Sequence, residues 1–146
     1  MHELPRQLSA EELAELFEGR TRFVNRLALE ERPLERAHAL VHELTDEEKR
    51  EILDAHPAIG KRQGLSPRSA AEQGSDADPE VLDELARLNA DYEARHGFRF
   101  VVFVNGRPKT MILEVLKERL GNPSGQELET ALGELVSIAV DRWRRR

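Results

Sequence analysis

A handful of side chains in this 146-residue sequence could do chemistry. His56 stands directly before Pro57. A proline disfavours helical geometry in the residue before it, so the pair reads as a helix end that presents the ring from a fixed bend. Imidazole is the side chain that exchanges protons near neutral pH without help. A histidine capping helix carbonyls is the plainer reading of that pair alone. Ser69, Glu72 and Gln73 follow in Ser-Ala-Ala-Glu-Gln. Positions three and four apart share a helix face, so these three would form one polar patch able to grip a small planar ligand rich in amides. An ordinary solvated face is the competing reading. Arg142 follows Glu134 and Ile138 at four-residue steps and borders the apolar face of the last helix. From a cleft edge, its guanidinium could hold a carboxylate in a forked pair. Taken alone, it is better explained as a basic last turn complementing the helix dipole. Arg119 competes for the same role, against its plain reading as a surface residue near a helix end.

Other combinations lead nowhere. His38 and His42 have a spacing that can bind zinc, but no Glu-x-x-His frame or third ligand accompanies them, so no metal is expected. The chain has no cysteine, which excludes disulfides, thiolate catalysis and cysteine-held metals. Gly60, Gly64, Gly97 and Gly106 are scattered and form no phosphate-cradling loop.

The elements that must position these residues read as helices almost throughout. Residues 9–19 open on a Ser cap, carry acids in the first turn and stop at Gly19. Phe23, Val24 and Leu27 continue an apolar stripe. Pro33 starts a third helix, and Thr45 to Glu48 is a capping-box pattern for a fourth that ends before His56. Ser66-Pro67 and Asp78-Pro79 each pair a cap with proline at the first helical position, predicting a short helix to about Gly74 and a longer one to Gly97. Residues 98–104, FRFVVFV, are strand-like in composition but have no evident partner, so buried extended or irregular structure is expected there. Met111, Ile112, Val115, Leu116 and Leu120 mark the next helix. Ser124 to Glu127 is a further capping-box pattern, opening a last helix with a long apolar face to Trp143. The sum is one all-α domain of about seven to eight helices over residues 1–146.

The totals agree with that reading. About a third of the residues are charged (34%) and 39% are apolar, a globular composition rather than a disordered one. The net charge is -6 with acids and bases interleaved, so nothing suggests a nucleic-acid binder. No apolar run approaches the length of a membrane span, and residues 1–7 show no secretory pattern. A cytoplasmic location is the default expectation.

Taken in order, HPAIG (56–60), SAAEQ (69–73), residues 85–102, NGRPKTMILEVLKERLGN (105–122) and Glu134-x3-Ile138-x3-Arg142 resemble the 2-oxo-4-hydroxy-4-carboxy-5-ureidoimidazoline (OHCU) decarboxylase family. The resemblance runs from about residue 9 to the C-terminus. It departs from the usual pattern at FEGRTRFVNRLA (17–28), where many members carry a Ser-Pro-Trp segment, and at Ala58-Ile59 after His-Pro. It implies an all-α fold and cofactor-free decarboxylation of an OHCU-like substrate to (S)-allantoin in urate breakdown. It further implies His56 as the main catalytic residue, with Glu72 assisting it. Pro57 would fix the approach of the ring. Ser69 and Gln73 would contact the substrate, the backbone of Phe100, Val101, Val102, Phe103 and Val104 would line the pocket, and Arg142 would bind a charged or carbonyl group. A homodimer is implied as well. The alternatives are a helical interaction module that has lost catalysis and an enzyme of the same fold acting on a related ureido or cyclic amide substrate.

Overall fold

The structure, a computed structural model, describes residues 4–57 and 78–145. Among these residues the chain forms seven α-helices and no strand: α1 (Ala10–Phe17), α2 (Arg22–Leu27), α3 (Pro33–Val41), α4 (Asp46–Asp54), α5 (Pro79–His96), α6 (Lys109–Leu120) and α7 (Ser124–Arg144). The Ser66-Pro67 helix start and the Ser69, Glu72 and Gln73 patch lie outside the described residues.

Local signals set most of the ends. Ser9 accepts from the Glu12 amide while the Glu12 carboxylate reaches back to the Ser9 amide, and Thr45 and Glu48 repeat this reciprocal cap at α4. Thr21 caps α2 by accepting from the Val24 amide. Asp78 caps α5, with Pro79 in the first turn. Gly97 ends α5 at φ 79, where its N–H returns to the Glu93 carbonyl, a left-handed conformation that glycine adopts without a Cβ clash. Asn105 and Gly106 both have positive φ, 49 and 75, making the turn that the Asn-Gly pair predicts.

Three expectations need correction. The stop of α1 falls on Glu18, not Gly19: Glu18 is itself left-handed, at φ 65. The capping box expected at Ser124 does not form. Pro123 is the N-cap, with no side-chain cap bond, and Ser124 Oγ instead lies 2.6 Å from His96 Nδ1. Glu127, the other half of that box, is drawn wholly into the interior by partners described below. Met111 is 52% exposed, so the inner face of α6 is Ile112, Leu113 and Leu116.

Packing centres on α7, whose buried face runs Glu127, Ala131, Leu132, Leu135, Val136, Ile138, Ala139 and Arg142. Such spacing gives a helix one continuous apolar stripe. The helix packs against α1, α3, α4 and α5, while α5 also pairs with α6. Residues 98–104 run through this interior without forming a ladder. Phe98 and Phe100 pack edge-on against Tyr92 of α5, with ring centroids 5.9 and 5.2 Å away. All these apolar residues belong to one connected core.

Candidate active site

His56 comes just after α4, where its amide donates to the Leu53 carbonyl at 3.2 Å. Arg99 pins this bend from across the fold. Its Nη1 donates to the carbonyls of Asp54, at 3.2 Å, and of His56, while its own amide donates to Asp54 Oδ1 at 3.3 Å. Glu93 Oε1 steadies the Arg99 side chain at 3.1 Å. The bend that Pro57 favours is therefore also held by a guanidinium 43 residues further on.

His56 is 5% exposed, and its Nε2 has no hydrogen-bond partner among the described residues. Burial lowers its pKa from 6.5 to about 4; the positive charges of Arg142 and Arg99 push the same way, and Glu18 pulls against them. Desolvation disfavours the charged form of a buried base. The imidazole is consequently neutral at pH 7, with its Nε2 unbonded among the described residues.

Arg142, expected at a cleft edge, is more deeply placed, at 2% exposure. Two arms of its fork are engaged by the end of α1: Nη1 donates to the Leu16 carbonyl at 2.9 Å, and Nη2 pairs with Glu18 Oε1 at 3.1 Å. His56, Arg142, Glu18 and Arg99 form one electrostatic cluster drawn from four parts of the chain.

Arg119 is not a surface residue. It is 7% exposed, with Nε on Glu127 Oε1 at 2.8 Å, Nη1 on the Val101 carbonyl at 2.8 Å and its guanidinium 4.7 Å from the Phe100 ring centroid. Glu127 also accepts from the Tyr92 hydroxyl at 2.6 Å and from the Asn122 amide at 3.0 Å. Burial opposes ionisation of Glu127, but the bonds from Tyr92, Asn122 and Arg119 outweigh it and hold its carboxyl below the usual range. The pKa of Tyr92 is raised by burial and by that hydrogen bond, so the phenol keeps its proton. This network locks α5, α6 and α7 around residues 98–104. It separates the two arginines: Arg119 is committed to the fold, while Arg142 stands beside His56.

The 98–104 segment is gripped by side chains at Arg99, Val101, Phe103 and Val104. Besides the bonds to Arg99 and Val101, Glu134 Oε1 accepts from the Phe103 amide at 3.3 Å, and Arg107 donates to the carbonyls of Phe103 at 2.6 Å and Val104 at 3.1 Å. Part of the Phe100 to Val104 backbone is therefore already bonded; Phe100 and Val102 have no such side-chain bond among the described residues. A cleft of about 420 Å³ lies elsewhere, bounded by α3 and α7 and lined by residues including Leu34, His38, Phe103 and Ser137. It includes neither His56 nor Arg142. His38 faces that cleft, whereas His42 Nδ1 lies 3.3 Å from Glu129. Among the described residues, no three acidic or histidine side chains gather to hold a metal ion, and no helix is long and apolar enough to cross a membrane.

Sequence reasoning missed Glu18, Arg99, Tyr92 and Glu127 as members of these clusters. The signal for the last two was the failure of a capping pattern, which only the position of a partner 35 residues away reveals.

The fold and the cluster together define an all-α protein with a buried neutral imidazole beside a paired guanidinium. Comparison with known proteins gives that class a family. The OHCU decarboxylase model matches residues 2–144, and the chain belongs to that family. A Haloferax volcanii protein described as 2-oxo-4-hydroxy-4-carboxy-5-ureidoimidazoline decarboxylase is 32% identical over 114 residues, covering 73% of this chain and 66% of its own length. An Amia calva protein of the same description is 38% identical over 96 residues, covering 60% of this chain and 54% of its own. The chain thus spans less than two thirds of the length of these relatives, and 21% of a Bacillus protein described as a uric acid degradation bifunctional protein. The solved structure titled "Crystal structure of OHCU decarboxylase in the presence of (S)-allantoin" superposes with a TM-score of 0.75 at 24% identity, over 90% of this chain and 94% of that one, which shows the fold.

Proposed function

We propose that this chain decarboxylates 2-oxo-4-hydroxy-4-carboxy-5-ureidoimidazoline to (S)-allantoin in urate degradation, without a cofactor. The observation that carries the reading is the family match over residues 2–144, and the buried His56 beside Arg142 is consistent with it.

The chemistry asks little beyond positioning and proton control. The bond between the carboxylate and the ring carbon that also bears the hydroxyl breaks, releasing carbon dioxide. Its electron pair forms a carbon–carbon double bond toward the neighbouring ring carbon, and the C=N pair moves onto nitrogen, which takes a proton. A proton then reaches the carbon that bears the ureido group, and the hydroxyl proton leaves to give the carbonyl. Electrons are absorbed by the substrate's own ring, so the protein's task is to orient the carboxylate and stabilise charge as it develops. In this reading neutral His56 accepts the hydroxyl or carboxyl proton, as a group that is unprotonated at pH 7 can. Arg142 holds the charged end of the substrate. Glu72, Ser69 and Gln73, which lie outside the described residues, orient the ring and ureido group from the chain that follows Pro57. The backbone of Phe100 and Val102, within the 100–104 segment, takes part of the amide surface. Delivery of the last proton to one face makes one enantiomer.

The same reading includes a homodimer in the cytoplasm, which sedimentation and cell fractionation would test. The decisive experiment generates the unstable substrate in place from urate with urate oxidase and hydroxyisourate hydrolase, and follows the circular dichroism of allantoin. Fast appearance of one enantiomer only when the protein is present is the expected result. An unchanged slow, racemic course would sink the reading.

A further inference from the structure

Glu18 occupies a position that suits a glutamate badly in three respects. It has a left-handed backbone, φ 65 and ψ 25, which glycine or asparagine adopts more easily than a long side chain. It follows the last turn of α1, where the helix dipole disfavours a negative charge and the helix itself supplies no basic residue. It is also largely buried, its side chain 12% exposed, so the carboxylate has given up much of its hydration. Strain retained at one point in a fold is a recognised mark of a functional position. What Glu18 gains is Arg142: Oε1 lies 3.1 Å from Nη2, while the Leu16 carbonyl, two residues earlier, takes Nη1 at 2.9 Å.

We propose that Glu18 is a positioning residue of this site: together with the Leu16 carbonyl it fixes the Arg142 fork beside His56 in the orientation that meets the charged end of the substrate, a role that rests on the decarboxylase reading above. Its side chain reaches the chemistry through Arg142. Among the described residues it supplies the negative charge acting on His56, against the positive charges of Arg142 of α7 and of Arg99.

The test is Glu18→Gln, which keeps size and an acceptor oxygen but removes the charge. The variant is expected to keep its helical circular dichroism and a cooperative melt. Its kcat should fall on the order of 10²-fold, the size of loss that follows misplacement of a catalytic group. Its KM should not rise, because a negative charge has left the neighbourhood of an anionic substrate. In the free protein the NMR titration of the His56 ring should move to lower pH, since Glu18 is the group that favours the imidazolium among the described residues. Glu18→Asp restores the charge and should bring that titration back toward wild type, with intermediate kcat. Unchanged kcat and an unmoved His56 titration in Glu18→Gln would overturn the role. So would loss of folding in both variants, or loss of activity only in proportion to unfolded protein; either result would make the pair a plain fastener between α1 and α7. Absence of turnover in the wild type would refute the decarboxylase function instead; in that case a shifted His56 titration in Glu18→Gln upholds the pairing of Glu18 with this cluster, and an unshifted one removes it.

Discussion

Buried, and facing more positive than negative charge among the described residues, His56 costs the folded state something in acid. The unfolded ring binds its proton near pH 6.5, the folded one near 4. Above pH 6.5 both states are neutral and nothing is lost. Between these values the unfolded chain takes a proton that the folded chain refuses, so stability falls as pH drops through that window. One pKa unit corresponds to about 1.4 kcal/mol, so the full loss is roughly 3 kcal/mol by pH 4. Urea unfolding at pH 7 and pH 4.5 should show it, and His56→Gln should flatten that part of the slope; an equal slope in both proteins would mean that carboxylates alone govern it. The same desolvation keeps His56 unprotonated at pH 7, the form in which the decarboxylase reading has it act. His56→Ala should therefore lose at least 10²-fold in turnover, the usual reach of a general acid or base, while keeping its helical circular dichroism. Near-normal kcat in the coupled assay would remove His56 from the chemistry.

At the level of elements, the informative group is the buried set that ties α5, α6 and α7 together. Arg119 and Glu127 are both nearly inaccessible, and removing one partner of such a pair strands the other charge at a cost of about 3–5 kcal/mol. Glu127→Leu and Arg119→Met should each approach that loss in urea unfolding. The double variant should lose far less than the sum, because it strands neither charge. Additive losses would show that the two groups act separately. This set also explains where sequence reading succeeded and where it stopped. The caps at Ser9 and Thr45 were legible because both halves of each lie three residues apart and nothing distant competes. The same pattern at Ser124 misled, because Tyr92 and Arg119 draw Glu127 inward and His96 takes the serine hydroxyl. The hydrophobicity of residues 98–104 announced burial without a strand. The side chains that satisfy its backbone come from α4, α6 and α7 and from Arg107, and could not be read from local pattern. His56 and Arg142 were legible as candidates, but their shared neighbourhood depends on Glu18 and Arg99, which carry no local sign of it.

For the molecule as a whole, α7 is the axis on which four other helices rest, and its middle is where a small change costs most. Leu135 is fully buried there. Leu135→Ala should destabilise the protein by about 2–5 kcal/mol through lost burial and the cavity left behind, measured as a lower urea midpoint with an unchanged slope. A loss under 1 kcal/mol would mean that the neighbouring helices close over the gap. The bond from Arg142 to the Leu16 carbonyl joins residues 126 positions apart, and it has a consequence in time. Synthesis proceeds from the N-terminus, so Glu18 and His56 leave the ribosome long before their arginine exists. A nascent chain that has not yet passed residue 142 lacks the Arg142 contacts to Leu16 and Glu18, so this cluster closes only when α7 folds back onto α1.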